Sequence, residues 1–370
     1  MQLATPAAGR SAIEPRPDPR IRDAAALRGR VTSPARLSEE ECRSWRALAA
    51  MDGLDHPFLS PGFSACVARV RRGVRVCVLR QGGRIVGFLP FQRVSGRPGW
   101  LGLAEPVGGR MSDRFGLVAA PGCWLPPAAL LRAAGLHALE FHHLGDEQLR
   151  FGLTGGGARI GHRLMLGRDP ADYWARLKAA NPSFLAELRR RERRLVEQHG
   201  PLRFELAVAD PQAGLSRLVA RKRAQYRESG VPDALAAGWK RRLLAALAAS
   251  GDPDCRGVLT ELHAGETWVA SHFGLRNRHT LHYWFPAYNP ALAKLAPGHL
   301  LLRLIIEHGM ADGIAVIDRG EGDQPHKTSW PTEPRWYHRG LWRRPTARGL
   351  AGQAGLALAW RLAALGRRAA

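Results

Sequence analysis

At 370 residues and 45% hydrophobic composition, the chain can bury two compact cores rather than one. No stretch approaches the eighteen consecutive apolar residues of a membrane span, and the opening MQLATPAAGR lacks the apolar run of a secretory signal, so the expected compartment is the cytoplasm. The five cysteines (Cys42, Cys66, Cys77, Cys123, Cys255) are scattered, with no CxxC pair and no histidines at ligand spacing, which excludes a disulfide framework and a thiolate metal centre.

The formal charge of +23 invites a nucleic-acid or anionic-membrane partner. Only Lys178, Lys222, Lys240, Lys294 and Lys327 are lysines, and the abundance of Arg, Ala, Gly and Pro points to a GC-rich coding sequence as one source of that charge. The tails inflate it further. Residues 339–370 carry seven arginines and no acid, and residues 1–37 carry seven arginines against three acids.

Residues 1–37 are rich in Pro, Arg and Ala without an apolar period and are expected to be disordered. Ser38 before Glu39, Glu40 and Glu41, with Trp45, Leu48 and Ala49 following, predicts an N-capped amphipathic helix. Residues 74–94 read as two strands around Gln81, Gly82, Gly83 and Arg84, where glycine permits the positive φ of a tight hairpin. Further strands are expected at residues 100–103, 115–118 and 138–144, with a helix over residues 127–135. This mixing of strands and helices is that of an α/β or α+β fold.

From Pro170 the pattern turns helical, over residues 171–180 and 184–199. The arginines of the second helix alternate with Glu187, Glu192 and Glu197, which suits either a solvated ion-pair face or contact with phosphates. A strand at residues 202–207 and helices at 212–228 and 235–249 lead to three strands at 258–262, 267–275 and 280–285. The segments VLRQGGRIVGFLPF and ELHAGETWVASHFG share one plan of strand, glycine turn and strand, a sign of two related halves.

The chemistry gathers after these strands. In PAYNPALAKLAPGHLLLRLIIEHGMADG the turn Ala296, Pro297, Gly298, His299 precedes a helix whose apolar stripe runs through Leu300, Leu301, Leu304 and Ile305. A helix N-terminus offers unpaired N–H groups and the positive end of the dipole, so it can hold a pyrophosphate such as that of coenzyme A. A buried strand at residues 314–317 then runs into Asp318, Gly320, Gly322, Asp323, His326, Lys327 and Trp330. His272 and His282 on neighbouring strands are candidate bases, with Glu261 a carboxylate alternative. Tyr283 and Tyr288 are candidate acids for a departing thiolate. Asp318 is expected to orient the acceptor or to pair with Lys327, whose ammonium could neutralise an oxyanion. For both histidines, core packing beside Trp268 or Trp284 is the alternative role.

The order Tyr288, Pro297, Gly298, Leu300, Leu301, then Gly313, Asp318, Gly320, Gly322, Lys327, with Trp330 beyond, resembles the CelD/BcsL-type acetyltransferases, a branch of the GCN5-related N-acetyltransferase (GNAT) superfamily. The likeness extends to SDRFGLVAAPG at residues 112–122, to the basic helix and to residues 221–230, and covers about residues 40–340. One departure is His326, where the family pattern has tyrosine before the lysine. The resemblance implies tandem GNAT-like halves, each a mixed, mostly antiparallel sheet flanked by helices, at residues 38–168 and 169–340. It also implies an acetyl-CoA or other acyl-CoA co-substrate, without a metal, held by the second half at Ala296 to Leu301. The candidate catalytic residues read from the chain itself are His272, His282, Asp318, Lys327 and Tyr288. The acceptor would be a sugar or amine in cellulose or exopolysaccharide biosynthesis.

Two rivals follow from the same architecture. The related FemABX-type transferases take an aminoacyl group from charged tRNA, and the basic helix would then touch RNA; a non-catalytic scaffold of a polysaccharide-synthesis complex would keep the fold alone. The tail LAGQAGLALAWRLAALGRRAA, in residues 341–370, has the arginines and Trp360 of a helix lying on an anionic membrane surface, and docking on the body is its alternative.

Overall fold

The computed structural model describes residues 27–51, 53–94, 102–167, 169–351 and 354. The first strand, β1 (Arg28–Thr32), lies inside the stretch expected to be disordered. It pairs antiparallel with a later strand along Arg28 to Thr32, so the order begins ten residues before Ser38. Residues 1–26 of the expected tail lie outside the described residues, as does nearly all of the C-terminal tail from residue 352. Among the described residues, no helix is long and apolar enough to cross a membrane.

Helix α1 (Glu39–Ala49) starts where its capping signature sits: Glu41 N–H donates to Ser38 Oγ at 3.2 Å, and Ser38 N–H donates to Glu41 Oε2 at 3.1 Å. Its apolar stripe buries Trp45, which stacks on Phe88 with ring centroids 5.0 Å apart. Helix α2 (Pro61–Val70) follows, capped by Ser60. Strands β2 (Val74–Gln81) and β3 (Arg84–Arg93) form the expected hairpin, with Gly82 and Gly83 at φ +55° and +80°. β4 (Leu103–Glu105), β5 (Val118–Ala119), α3 (Pro127–Ala133), β6 (Ala138–Gly145) and β7 (Gly156–Met165) complete the first half of the chain.

The second half runs α4 (Pro170–Ala180), α5 (Phe184–His199), β8 (Leu202–Glu205), α6 (Gln212–Glu228), α7 (Gly238–Ala248), β9 (Arg256–Ala264), β10 (Thr267–Arg276), β11 (Thr280–Tyr288), α8 (Pro297–Ala311), β12 (Val316–Glu321), α9 (Pro325–Thr328) and β13 (Glu333–Arg343). All described strands join one mixed sheet in the order β1-β2-β3-β4-β6-β13-β7-β12-β11-β10-β9-β8, with β5 beside β3.

From its two ends inward, this order repeats. β1 to β4 pair antiparallel in sequence and β4 then pairs parallel with β6; β8 to β11 do the same and β11 pairs parallel with β12. The two segments that looked alike in sequence are the β2–β3 and β9–β10 hairpins of this repeat. At the centre the halves exchange their last strands. β13 leaves the second half to lie along β6, and β7 leaves the first half to lie along β12. Neither β7 nor β13 was expected from the sequence.

One apolar cluster fills the first half, around Trp45, Phe88, Phe91, Leu139 and Trp342 of β13. In the second half the sheet is covered on both faces. Leu262, Ala270 and Leu281 pack with α4, α5 and α8 on one face. Leu259, Phe273 and Phe285 pack on the other with Leu215 and Leu218 of α6, α7, and Phe63 and Val67 of α2, so this last cluster joins the halves.

Candidate functional site

The parallel strands β11 and β12 pair only from Thr280–Val316 to His282–Asp318. Beyond that rung β11 runs on to Tyr288 and β12 to Glu321 without pairing, so the sheet splits into a wedge. Two local irregularities open it. The β10–β11 register slips between Phe273 and Leu275, and the Trp284 N–H donates to the His272 ring at 3.1 Å instead of to a strand carbonyl. On β12 the register slips after Asp318, where Gly320 takes φ +65°.

The wedge opens into a cleft of about 810 Å³. Tyr283, Trp284, Pro286 and Tyr288 line it from β11, Ala296 to His299 from the start of α8, and Arg319 to Glu321 from β12. Lys222 and Gln225 of α6, Arg191 of α5 and Lys327 also line it, and the first half contributes Asp113 and His143.

Of the expected donor residues, Ala296, Pro297, Gly298 and His299 stand at the cleft, whereas Leu300 and Leu301 are fully buried in the core beneath. Ala296 is the N-cap of α8 and has φ +51°, a left-handed conformation that costs a non-glycine residue about 1 kcal/mol. The cap has no side-chain acceptor for the first-turn N–H groups. A Cβ at Gly298 would meet nothing within 4 Å, so backbone and cleft are in direct contact there.

Behind the cleft lies a set of paired acids and histidines drawn from both halves. His282 Nε2 faces Asp113 Oδ2 at 2.9 Å, and its Nδ1 faces Asp318 Oδ1 at 3.8 Å. His56 Nε2 lies 3.5 Å from Asp318 Oδ2. Asp318 also accepts from the Gly320 N–H at 2.8 Å and the Tyr337 hydroxyl at 3.2 Å. Burial pushes the Asp318 carboxyl up, but the His56 contact and the His282, His56 and Arg114 charges together hold it well below the carboxylate range. The same opposition holds at Asp113, where the His282 hydrogen bond and charge outweigh burial and lower it. Asp113 keeps 27% of its side chain exposed, whereas His282 is buried.

The ligand atoms of His56, His282 and Asp318 all lie within 4.8 Å of one another, the spacing of a metal centre. The tautomer argues for a proton instead. His56 Nδ1 accepts the Phe58 N–H at 3.3 Å, which leaves the proton on Nε2, aimed at Asp318. Burial pushes this ring down to about 4, so it is neutral at physiological pH.

His143 stands at the cleft wall in a left-handed conformation, φ +56°, and its Nε2 faces Glu321 Oε2 at 3.2 Å. Burial opposes its charge, but Glu321 and Asp113 raise it overall.

Lys327 does not bind Asp318 as expected. Its ammonium donates to the carbonyls of Arg319, Gly320 and Glu321 at 2.7, 3.2 and 2.8 Å and so fixes the divergent end of β12. Burial, with the Arg319 charge, lowers it to about 8. His272 is fully buried outside the cleft lining, stacked 4.1 Å from the Tyr283 ring, and burial lowers it to about 3. Glu261 is held by Arg217 at 3.0 Å. Tyr288 is exposed at the cleft, and burial pushes Tyr283 up to about 12. The His326 side chain lies outside the described residues.

Asp113, His143, Glu321, Lys222 and His56 were not singled out by sequence reasoning. Asp113 fell within the stretch noted as similar at residues 112–122, but its partner His282 is 169 residues away. No local pattern encodes that contact.

Residues 182–328, which hold β11, α8 and β12, match the family described as an acetyltransferase (GNAT) domain. No curated protein matches the chain in sequence. Among solved structures, FemX superposes with a TM-score of 0.55 at 10% identity, over 84% of this chain and 97% of that one. The C-terminal domain of a candidate lysylphosphatidylglycerol synthetase from Agrobacterium fabrum gives 0.50 at 12% identity, over 86% and 96%. Residues 182–328 thus resemble an acetyltransferase domain of the GNAT type, and the chain as a whole shares the fold of FemX.

Proposed function

We propose that the cleft binds an acyl-CoA, with acetyl-CoA the simplest donor, and that an amine or hydroxyl acceptor meets the thioester between the two halves. The observation that carries this reading is the wedge between β11 and β12, with an uncapped helix N-terminus at its mouth. The Gly298 N–H, at the dipole end of α8, and Arg191 would hold the pyrophosphate. The edge of β11 left unpaired by β12 would take the pantetheine amides as an added strand.

In the transfer, the acceptor nitrogen or oxygen attacks the thioester carbon and its proton passes to Asp113 as the new bond forms. The carbon–sulfur bond then breaks, and the thiolate takes a proton from Tyr288. Asp113 is ionised at neutral pH and His282 keeps it oriented. The Asp318 carboxylate 3.8 Å from its Nδ1 and the His56 ring packed edge-on against it would fix the His282 ring in turn, as positioning residues. In this reading residues 38–168 and 169–340 are the GNAT-like halves, the second holding the donor and the first completing the acceptor site. Assembly of cellulose or another exopolysaccharide, the setting implied by the sequence resemblance, would supply an amino sugar.

Calorimetric titration of acetyl-CoA into the protein and into Gly298→Trp tests the donor site. The indole would occupy the open space over the helix start, and binding should weaken about a hundredfold or more, the loss of several charged hydrogen bonds. Equal binding in both, or none in either, sinks the reading. The FemX likeness keeps a charged-tRNA donor as the second reading; a salt-sensitive gel shift of tRNA without CoA binding would favour it.

A further inference from the structure

The cleft passes through the sheet. Helices α5 and α8 lie on one face, with Leu188, Leu195 and Leu300 in one cluster, whereas α6 lies on the opposite face, with Leu215 and Leu218 in another. Yet Arg191 and His299 from the first face and Lys222 and Gln225 from the second line the same cavity. The donor phosphates, held at α8, therefore approach from one face. The α6 face is left for the acceptor.

On that face Lys222 is out of place as a surface lysine. It is only 8% exposed. Its ammonium donates to the Gln225 amide oxygen at 3.0 Å and lies 5.2 Å from the Tyr226 ring centre. Neither partner carries a negative charge. The carboxylates that follow it in the chain are already engaged: Glu228 pairs with Arg221 at 2.8 Å and Asp233 with Arg223 at 2.7 Å. A buried ammonium without a counter-anion is unfavourable unless something supplies one. Burial and the Arg221 charge accordingly lower Lys222 to about 8. Elsewhere the cavity wall carries Asp113 and Glu321, which suit a cation.

We infer that the acceptor is an amine that also bears an anionic group, its carboxylate or phosphate bound by Lys222 and its amine directed at Asp113. This rests on the acyl-transfer reading of the cleft and narrows the acceptor to amino acids or phosphorylated amino sugars. A neutral sugar would leave Lys222 without a counter-ion.

The test is calorimetric binding to the full chain saturated with CoA, with two matched pairs: alanine against alaninamide, and glucosamine 6-phosphate against glucosamine. The anionic member of one pair should bind about tenfold or more tightly than its neutral partner, and which pair shows it identifies carboxylate or phosphate. Lys222→Gln should abolish that preference while CoA binding stays as in the wild type, and Lys222→Arg should restore part of it. Equal affinities within both pairs, no binding by any of the four, or a preference that survives Lys222→Gln would overturn the inference. If CoA itself does not bind, the donor reading fails instead, and the same pairs titrated into the free protein still decide the role of Lys222.

Discussion

His272 shows how the same residue type divides between chemistry and packing. Its ring is fully buried and neutral, accepting the Trp284 N–H, while burial also holds the buried His56 and the half-buried His142 near 4. Each of these histidines lies below its ordinary 6.5, so the unfolded chain binds more protons once the pH falls beneath that value. Stability is therefore fully present above 6.5 and is lost as the pH falls toward about 4 for His56 and His142 and about 3 for His272. For each ring the loss is on the order of 1.4 kcal/mol per pH unit across that interval. In His272→Gln the amide oxygen can still accept the Trp284 N–H while nothing titrates. Its melting temperature should fall less between pH 6.5 and 4 than the wild type's; parallel curves would refute the assignment. The sequence placed His272 and His282 on adjacent strands but could not separate them. What separates them is a carboxylate from the other half, Asp113, which reaches His282 alone.

At the scale of elements, the legible parts were those whose signal is local. The Ser38 cap, the Gly82–Gly83 turn, α6 and the apolar stripe of α8 carry their own periodicity or cap, and each appears where the pattern put it. β7 and β13 do not. GGARIGHRLM and EPRWYHRGLWR mix glycine and arginine with few apolar residues, because each strand is buried only where it crosses its neighbours. Their crossing is tight. A Cβ at Gly161 of β7 would stand 2.5 Å from the Tyr337 ring of β13 and 2.7 Å from the Gly320 carbonyl of β12. Gly161→Ala should thus destabilise the protein by about 1–3 kcal/mol in denaturant unfolding, through overpacking that displaces the Tyr337 hydroxyl from Asp318. A change below about 0.5 kcal/mol, the range of an ordinary surface substitution, would show that the crossing is loose.

The whole molecule is bound together by exchange rather than by a linker. Trp342 of β13 belongs to the first half's core, and α2 of the first half packs into the second's. Composition suggested two cores but not that they share strands, since pairings such as Trp342 with Leu139 join residues about two hundred positions apart. A chain ending at Thr332 loses the partner of both β6 and β7. It should show no cooperative melt, and a single sharp transition by calorimetry would contradict the exchange. The exchange also sets a timetable for synthesis. The edge of β6 is made early, yet its partner is translated much later, so the nascent first half must wait with that edge open while almost two hundred residues emerge. Such a chain depends on whatever shields an unpaired strand at the ribosome, and arrest of translation before Glu333 would release a product primed to aggregate.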